Sequence, residues 1–425
     1  PVKRIIIKTI SLRENVNMER MILHSDINAC YASIELLRHP ELRGRPVAVG
    51  GERELRHGII LAKDQMARAA GVRTGMTLWA ARQQCPELTI LPPDFELYYD
   101  YSRRVREIYA GFTDRCEPFG MDECWLDMTG CVGREDALRT AQEVRQRVLD
   151  ATGLTVSVGV SWCKAIAKLG SDYRKPNAVT VIDRACFADM VWPLPVSSLL
   201  FAGRSSVRQL ERLGIRTVGA LAAADADVLE QRLGKGGRLL HAYANGYDPA
   251  PVHRIADLPP PKSIGNSATA PRDLICEADA RAALLSLAES VGARLRLEGY
   301  QCRTVELSVR TADLHWRSHR MALRHPSDLT SELLDAALAL CEQAHLWPDP
   351  LRSIGIRALD LVPACAPHQL DLFEDAEHRA RQRQLDITLD NLRARYGKTC
   401  VLRGRACFDP ALGLVQREEH AFLRK

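Results

Sequence analysis

Between residues 21 and 183, short apolar runs of strand length alternate with segments of helical spacing. The runs are MILHSD (21–26), PVAV (46–49), GIILA (58–62), LTIL (88–91), LTVSVGV (154–160) and AVTVI (178–182). Between them, 94–114 places Val105, Ile108 and Phe112 on one helical face, and 135–151 does the same with Val144 and Val148. The pattern predicts an α/β or α+β domain with a small subdomain inserted after the first strand. From 184 to 251 the pattern becomes helical. LLFAGRSSVRQLERLGIRTVGAL (199–221) predicts two helices around a turn at Leu213-Gly214-Ile215, and RLGKGGRLLHAYANG (232–246) repeats the Leu-Gly turn. Helix starts of this kind expose backbone N–H groups where phosphates bind; plain helical packing explains the same pattern equally well. The prolines of PPPK (259–262) mark a linker over 252–262. Beyond it, RTVELSVR (303–310) and IGIRALDL (354–361) alternate as strands, while 278–298 and 328–345 read as helices. A tail over 363–425 opens with a polar, proline-bearing stretch. It continues through a charged segment with helical spacing (Leu385, Leu389, Leu392) and ends in a strand-like run.

The chemistry concentrates in FGMDECWLDMTG (119–130), which sets Asp122 and Glu123 side by side after a Gly120 turn and before a strand. Neighbouring strand residues point to opposite faces, so both carboxylates serve one site only at a bend or strand end. A third carboxylate, Asp26, closes the first apolar strand. Three carboxylates brought together by strand ends suit a pair of Mg²⁺ ions, which favour hard oxygen ligands shared with substrate phosphates. A solvated acidic turn is the alternative for Asp122 and Glu123 taken alone.

At 425 residues the chain is long enough for several domains. No apolar run reaches the roughly 20 residues needed to span a bilayer, so no membrane partner is expected. Residues 1–20 read as a leader segment, without the long apolar core of a signal peptide. Thirteen cysteines without a CxxC pair fit a reducing cytoplasm and argue against structural zinc or a disulfide framework. The net charge of +5 is weak evidence for a nucleic-acid partner. Of 58 cationic residues only 10 are Lys, which leaves 48 Arg; arginine suits phosphate contact, though genome composition would give the same skew.

Placed together, HSDINACYASIE (24–35), FGMDECWLD (119–127) and VGVSWCKAIAKLGSDYRKPNA (158–178) resemble the signature segments of Y-family translesion DNA polymerases of the DinB type, in order and spacing, over about 21–362. The resemblance implies an α+β multidomain right hand. A ferredoxin-like palm would occupy 21–29 and 94–183, small fingers 30–93, and a helical thumb with helix-hairpin-helix turns 184–251. An α/β little finger would follow at 263–362. It implies Asp26, Asp122 and Glu123 as metal-binding carboxylates with the Ile27 carbonyl as a backbone ligand for two Mg²⁺. Tyr31 falls on the steric-gate position that excludes a 2′-hydroxyl, and Arg68 and Lys175 fall on triphosphate-contacting positions. Arg204 and Lys235 near the helical turns, and Arg310, Arg320, Arg324 and Arg357 on or beside strands, are the expected DNA contacts. The last four belong to a domain without net positive charge, so a DNA face there must be a local patch.

The chain departs from the family pattern where many relatives carry Ser or Thr, then Tyr, upstream of the arginine: here Ala62 and Gln65 stand in LAKDQMAR. Gln65 offers an amide donor to the nucleotide in their place. Asn28 replaces a second Asp. QLDLF (369–373) resembles the clamp-binding peptide of bacterial polymerases, with Gln369, Leu370, Leu372 and Phe373 as its contacts. The expectation is a cytoplasmic, monomeric, template-directed polymerase with primer–template DNA, deoxynucleoside triphosphates and a bacterial sliding clamp as partners. Two rivals remain at this point: a non-catalytic adaptor that binds clamp and DNA, and another palm enzyme such as a nucleotide cyclase.

Overall fold

In a computed structural model of the chain, residues 20–51, 58–131, 133, 136–344, 346–347, 349–366, 376–397, 399–404 and 412 are described. They fall into two compact units, one formed by 20–50 and 60–258, the other principally by 259–412. The division falls between Leu258 and Pro259, at the start of the proline run.

The first unit begins with β1 (Ile22–Ile27) and α1 (Cys30–Arg38). A small three-stranded sheet follows, with β2 (Val47–Gly50) between β3 (Ile60–Lys63) and β4 (Thr89–Leu91). Two short helices lie between β3 and β4, α2 (Gln65–Ala69) and α3 (Leu78–Gln84), capped by the side chains of Asp64 and Thr77. The chain then runs through α4 (Phe95–Ala110), β5 (Cys116–Phe119), β6 (Glu123–Asp127), α5 (Ala137–Thr152), β7 (Val156–Ser161), α6 (Lys164–Tyr173) and β8 (Val179–Val181). These strands form one sheet in the order β5-β6-β1-β7-β8. Taken as β-α-β-β-α-β (β1, α4, β5, β6, α5, β7), the order 2-3-1-4 is the ferredoxin-like split βαβ arrangement.

The alternation along β1 decides what each face does. Leu23 and Ile27 face a core shared with Tyr98, Val105 and Tyr109 of α4 and Val144 and Val148 of α5. Ile22, His24 and Asp26 therefore face the other way, where Ile22 meets Trp125 and Ala167. Helix α6 reaches that second face because Gly159 has no side chain: a Cβ there would stand 1.9 Å from the Ala167 carbonyl oxygen. Short helices complete the unit: α7 (Phe187–Val191), α8 (Arg204–Arg212), α9 (Val218–Ala222), α10 (Ala226–Leu233) and α11 (Lys235–Ala244). The expected turns fall at Gly214 and Gly234, both at positive φ. Residues 199–203, expected as helix, precede the start of α8 at Arg204. Arg20, placed with the leader by its sequence, reaches the carbonyls of Asp248 and Ala250.

The second unit is a four-stranded antiparallel sheet, β11-β10-β12-β9, with β9 (Ser263–Leu274), β10 (Tyr300–Thr311), β11 (Trp316–Ser327) and β12 (Leu351–Pro363). Helices α12 (Glu277–Glu298) and α13 (Thr330–Gln343) share its core. A last helix, α14 (Ala376–Tyr396), belongs to this unit, and the spacing of Leu385, Leu389 and Leu392 is helical as expected. Its attachment is ionic rather than leucine-based. Leu385 is exposed, while Asp386 is buried against Arg296 and Arg403. Arg393 reaches the buried Glu289. The strand-like end and QLDLF lie outside the described residues.

Candidate active site

Asp26 near the end of β1 stands directly opposite Glu123 at the start of β6, so their side chains share a face. Asp122 precedes that strand, in the turn that follows Gly120 at φ 81°. The bend that sequence reasoning required is therefore present. It is held from both sides: the Ile27 amide donates to the Asp122 carbonyl at 2.9 Å, and the Ser102 hydroxyl donates to the Met121 carbonyl.

Burial lifts the Asp26 carboxyl to about 6; Lys175 pulls the other way and Glu123 adds to the rise. Burial, then the charges of Asp26 and Glu123, lift Asp122 to about 6 as well. The carboxylates thus sense one another in a part-buried site, an electrostatic demand for cations. Lysines answer it in this conformation. Lys175 Nζ lies 2.6 Å from Asp26 Oδ2 and 2.7 Å from Asp172 Oδ1. Lys168 Nζ lies 2.7 Å from Glu123 Oε1. Burial works against the Lys175 charge, but Asp26 and Asp172 outweigh it and hold the ammonium above its ordinary value. Among the described residues no three His, Cys, Asp or Glu side chains enclose a point as a finished metal cage would. The donor set is nonetheless that of a hard divalent ion: carboxylate oxygens on one face, mutually repelling, with Glu123 Oε2 lacking a hydrogen-bond partner.

Tyr31 on α1 is half-buried and stacks on Tyr98 at 4.5 Å with an interplanar angle of 11°. Phe95 meets the Tyr31 ring edge-on, and the Tyr98 hydroxyl donates to buried Glu35. Burial, together with Cys30 and Asp122, pushes the Tyr31 phenol up to about 12. Gln65 and Arg68 are exposed on α2, and Arg68 forms no ion pair among the described residues. Asn28 is buried and structural: it accepts from the Ser157 hydroxyl and donates to Thr155.

Arg204 and Lys235 begin α8 and α11 and are exposed. In the second unit the register places Arg310, Arg320, Arg324 and Arg357 on the sheet face opposite α12 and α13. Buried Glu306 on the central strand contacts Arg320 at 2.6 Å and Arg357 at 3.4 Å. Glycines keep this face flat: a Cβ at Gly355 would fall 2.6 Å from the Ser267 Cβ. Arg310, Arg320 with Arg324, and Arg357 thus lie on three neighbouring strands of one sheet face.

Sequence reasoning passed over Lys168, His24 and Ser171. Lys168 lies seven residues before Lys175 in the same sequence segment, and His24 lies two before Asp26, on the same strand face. Those spacings were the available signals.

A ferredoxin-like sheet presenting three carboxylates, joined to short helices and a second α/β unit, defines a right-hand polymerase of the Y-family type. The impB/mucB/samB family model matches residues 25–172, and the model of that family's C-terminal domain matches 261–372. DNA polymerase IV of Acetivibrio thermocellus is 42% identical over 94% of this chain and 100% of its own length. DNA polymerase IV 1 of Bacillus subtilis is 37% identical over 91% of this chain and 92% of its own. Among solved structures, a Y-family DNA polymerase chimera superimposes with a TM-score of 0.72 at 22% identity, covering 81% of this chain and 99% of that one. The chain belongs to the impB/mucB/samB family, in its DinB-type Y-family polymerase branch.

Proposed function

We infer that this chain is a template-directed DNA polymerase of the translesion type, and that Asp26, Asp122 and Glu123, with the Ile27 carbonyl, hold two Mg²⁺ ions at its active site. One observation carries the assignment: Asp26 lies opposite Glu123 with Asp122 in the adjoining turn, and the carboxyls of Asp26 and Asp122 are raised by burial and by neighbouring carboxylates. Bound there, the ions would make the primer 3′-hydroxyl a better nucleophile and neutralise the triphosphate as pyrophosphate leaves. The chain's own groups do the rest. The ring of Tyr31, backed by Tyr98 and Phe95, forms a rigid floor that excludes a 2′-hydroxyl. Lys175, Arg68 and Gln65 contact the phosphates of the incoming nucleotide. Lys175 reaches both Asp26 and Asp172, so its ammonium already sits at the edge of the carboxylate group.

In this reading 21–29 and 94–183 are the palm, 30–93 the fingers, 184–251 the thumb and 263–362 the little finger. Arg204, Lys235, Arg310, Arg320, Arg324 and Arg357 carry primer–template contacts. Gln369, Leu370, Leu372 and Phe373 engage a bacterial sliding clamp, and the enzyme works as a monomer beside the chromosome in the cytoplasm. No described helix is long and apolar enough to cross a membrane. A non-catalytic adaptor has no use for three mutually repelling carboxylates in a part-buried site. Primer extension by Glu123→Ala tests the assignment: loss of incorporation with primer–template binding retained is expected, and near-normal extension in Mg²⁺ would refute it.

A further inference from the structure

Trp316 opens edge strand β11 and is 57% exposed, outside the hydrophobic core of its unit. The register sets it directly opposite Arg310 on β10, so it stands on the open sheet face with the arginines. The Arg310 guanidinium lies over the indole, 5.7 Å from the ring centre. Arg310 is itself tied down, since its Nε donates to the Leu314 carbonyl at 3.2 Å. Leu314 belongs to a turn that is closed twice over. The Thr311 amide donates to the His315 carbonyl at 3.0 Å, and the His315 ring lies 2.7 Å from Asp313. A ring held in this way, with a cation over one face, offers its other face to a ligand.

The surface beside the ring is small and polar. One row along the sheet Ser318, Ser308 and Gly355 stand side by side, and one row further Arg320 and Arg357 flank Glu306. The middle row stays low because a Cβ at Gly355 would fall 2.7 Å from the Ser308 hydroxyl oxygen. Trp316 and Arg320 are four residues apart on one strand, roughly 13 Å at about 3.3 Å per residue. The face is therefore a shallow hydroxyl-bearing floor with an aromatic ring at one end and guanidinium groups at the other. Edge strands are ordinarily protected by charge, and an exposed indole works against that protection. A protein hot spot needs a desolvated pocket, which a serine floor does not supply. A polyanion that carries flat rings matches both ends of the floor at once: its rings stack on indole and its phosphates meet arginine. A base inside a duplex already has both faces stacked, so only an unpaired one can use the ring.

We propose that Trp316, backed by Arg310, is a stacking site for one unpaired nucleobase, so that the second unit holds single-stranded DNA as well as duplex phosphates. The neighbouring nucleotides then run over the serine row, with their phosphates towards Arg320 and Arg357. Such a site is indifferent to base identity, because every base has a π-face. The proposal rests on the reading of this sheet face as the one that contacts DNA, so the test separates the two.

The probes are two fluorescein-labelled single strands of equal length, one of thymidines and one of abasic residues with the same phosphates. The full chain is titrated into each without divalent ions, and binding is read by anisotropy. Wild type should prefer the thymidine strand. Trp316→Ala should lose about tenfold on that strand and little on the abasic one. Trp316→Phe keeps a π-face and should recover most of the loss. Equal losses on both strands would make Trp316 a support for the sheet, and no loss on either would leave the ring to another partner, such as a protein. Both results overturn the proposal. The double variant Arg320→Ala, Arg357→Ala is the control for the face and should weaken both strands alike. If it binds them like wild type, the DNA-contacting reading of those arginines fails, while the thymidine preference still reports on Trp316. Should Trp316→Ala fail to fold, photocrosslinking of the wild-type chain to a single strand carrying 5-iodouracil decides. An adduct on the peptide that contains Trp316 supports the stack, and adducts confined to other peptides overturn it.

Discussion

Replacing Asp122 with Asn should abolish incorporation and, without divalent ions, make the protein more stable. Asp122 has its carboxyl raised from 3.8 to about 6, first by burial and then by Asp26 and Glu123. A shift of roughly two units corresponds to about 3 kcal/mol between protonation states, and screening at a part-exposed site reduces it to about 1–3 kcal/mol. The sign follows from proton counting. Between 3.8 and about 6 the folded chain holds a proton that the unfolded chain has lost. Stability therefore falls as pH rises through that window, and the full penalty applies above it. Asparagine keeps an oxygen acceptor and carries no charge, so it escapes the penalty. At about pH 7.5 in chelator, Asp122→Asn should melt several degrees above wild type, since 1 kcal/mol moves Tm by about 2–4 °C in a unit of this size. The gap should close as pH approaches the ordinary carboxylate range. Added Mg²⁺ should stabilise wild type and not the variant, because only wild type gains the binding free energy. Melting curves across pH, with and without Mg²⁺, check each part. A variant no more stable than wild type at neutral pH, or a gap that ignores pH, would refute the electrostatic account.

Tyr31→Ala should raise ribonucleotide incorporation far more than it lowers deoxynucleotide incorporation, and unchanged sugar selectivity in single-turnover extension would mark Tyr31 as a packing residue of the stack with Tyr98. Arg320→Ala and Arg357→Ala should each flatten the dependence of log DNA affinity on log salt by about one unit; Glu306→Gln, which releases both guanidinium groups from a buried carboxylate, should strengthen binding at low salt. Alanine at Gln369, Leu372 and Phe373 should leave distributive synthesis intact and remove stimulation by a bacterial sliding clamp, since a tether raises local concentration without touching chemistry. Lower thermal stability with clamp stimulation preserved would instead show the segment to be a packing element.

The local elements that form the candidate site were legible in the sequence. The strand ending in Asp26, the Gly120 turn before Asp122 and Glu123, and the long segment containing Lys175 were legible because strand periodicity and turn chemistry are local properties. Most first-unit strands were legible for the same reason, whereas CEPF of β5 was not, its proline suiting only an edge strand. Strands β9 and β11 also passed unseen. SIGNSATAPRDL buries Asn266, Ala268 and Ala270 between Ile264 and Leu274, and WRSHRMALRHPS is an edge strand whose exposed face is arginine-rich, so neither shows a continuous β-branched apolar stripe. The leucine spacing of α14 indicated a helix but not its attachment: the helix is held by Asp386 and Arg393, with partners about ninety to a hundred residues earlier in the chain. What the tertiary structure alone decided was pairing at a distance. The register that sets Asp26 against Glu123 and the Gly159 contact that brings Lys168 and Ser171 over the sheet both join segments far apart in sequence. No local pattern encodes which lysine stands against which carboxylate; packing of a helix on a strand does.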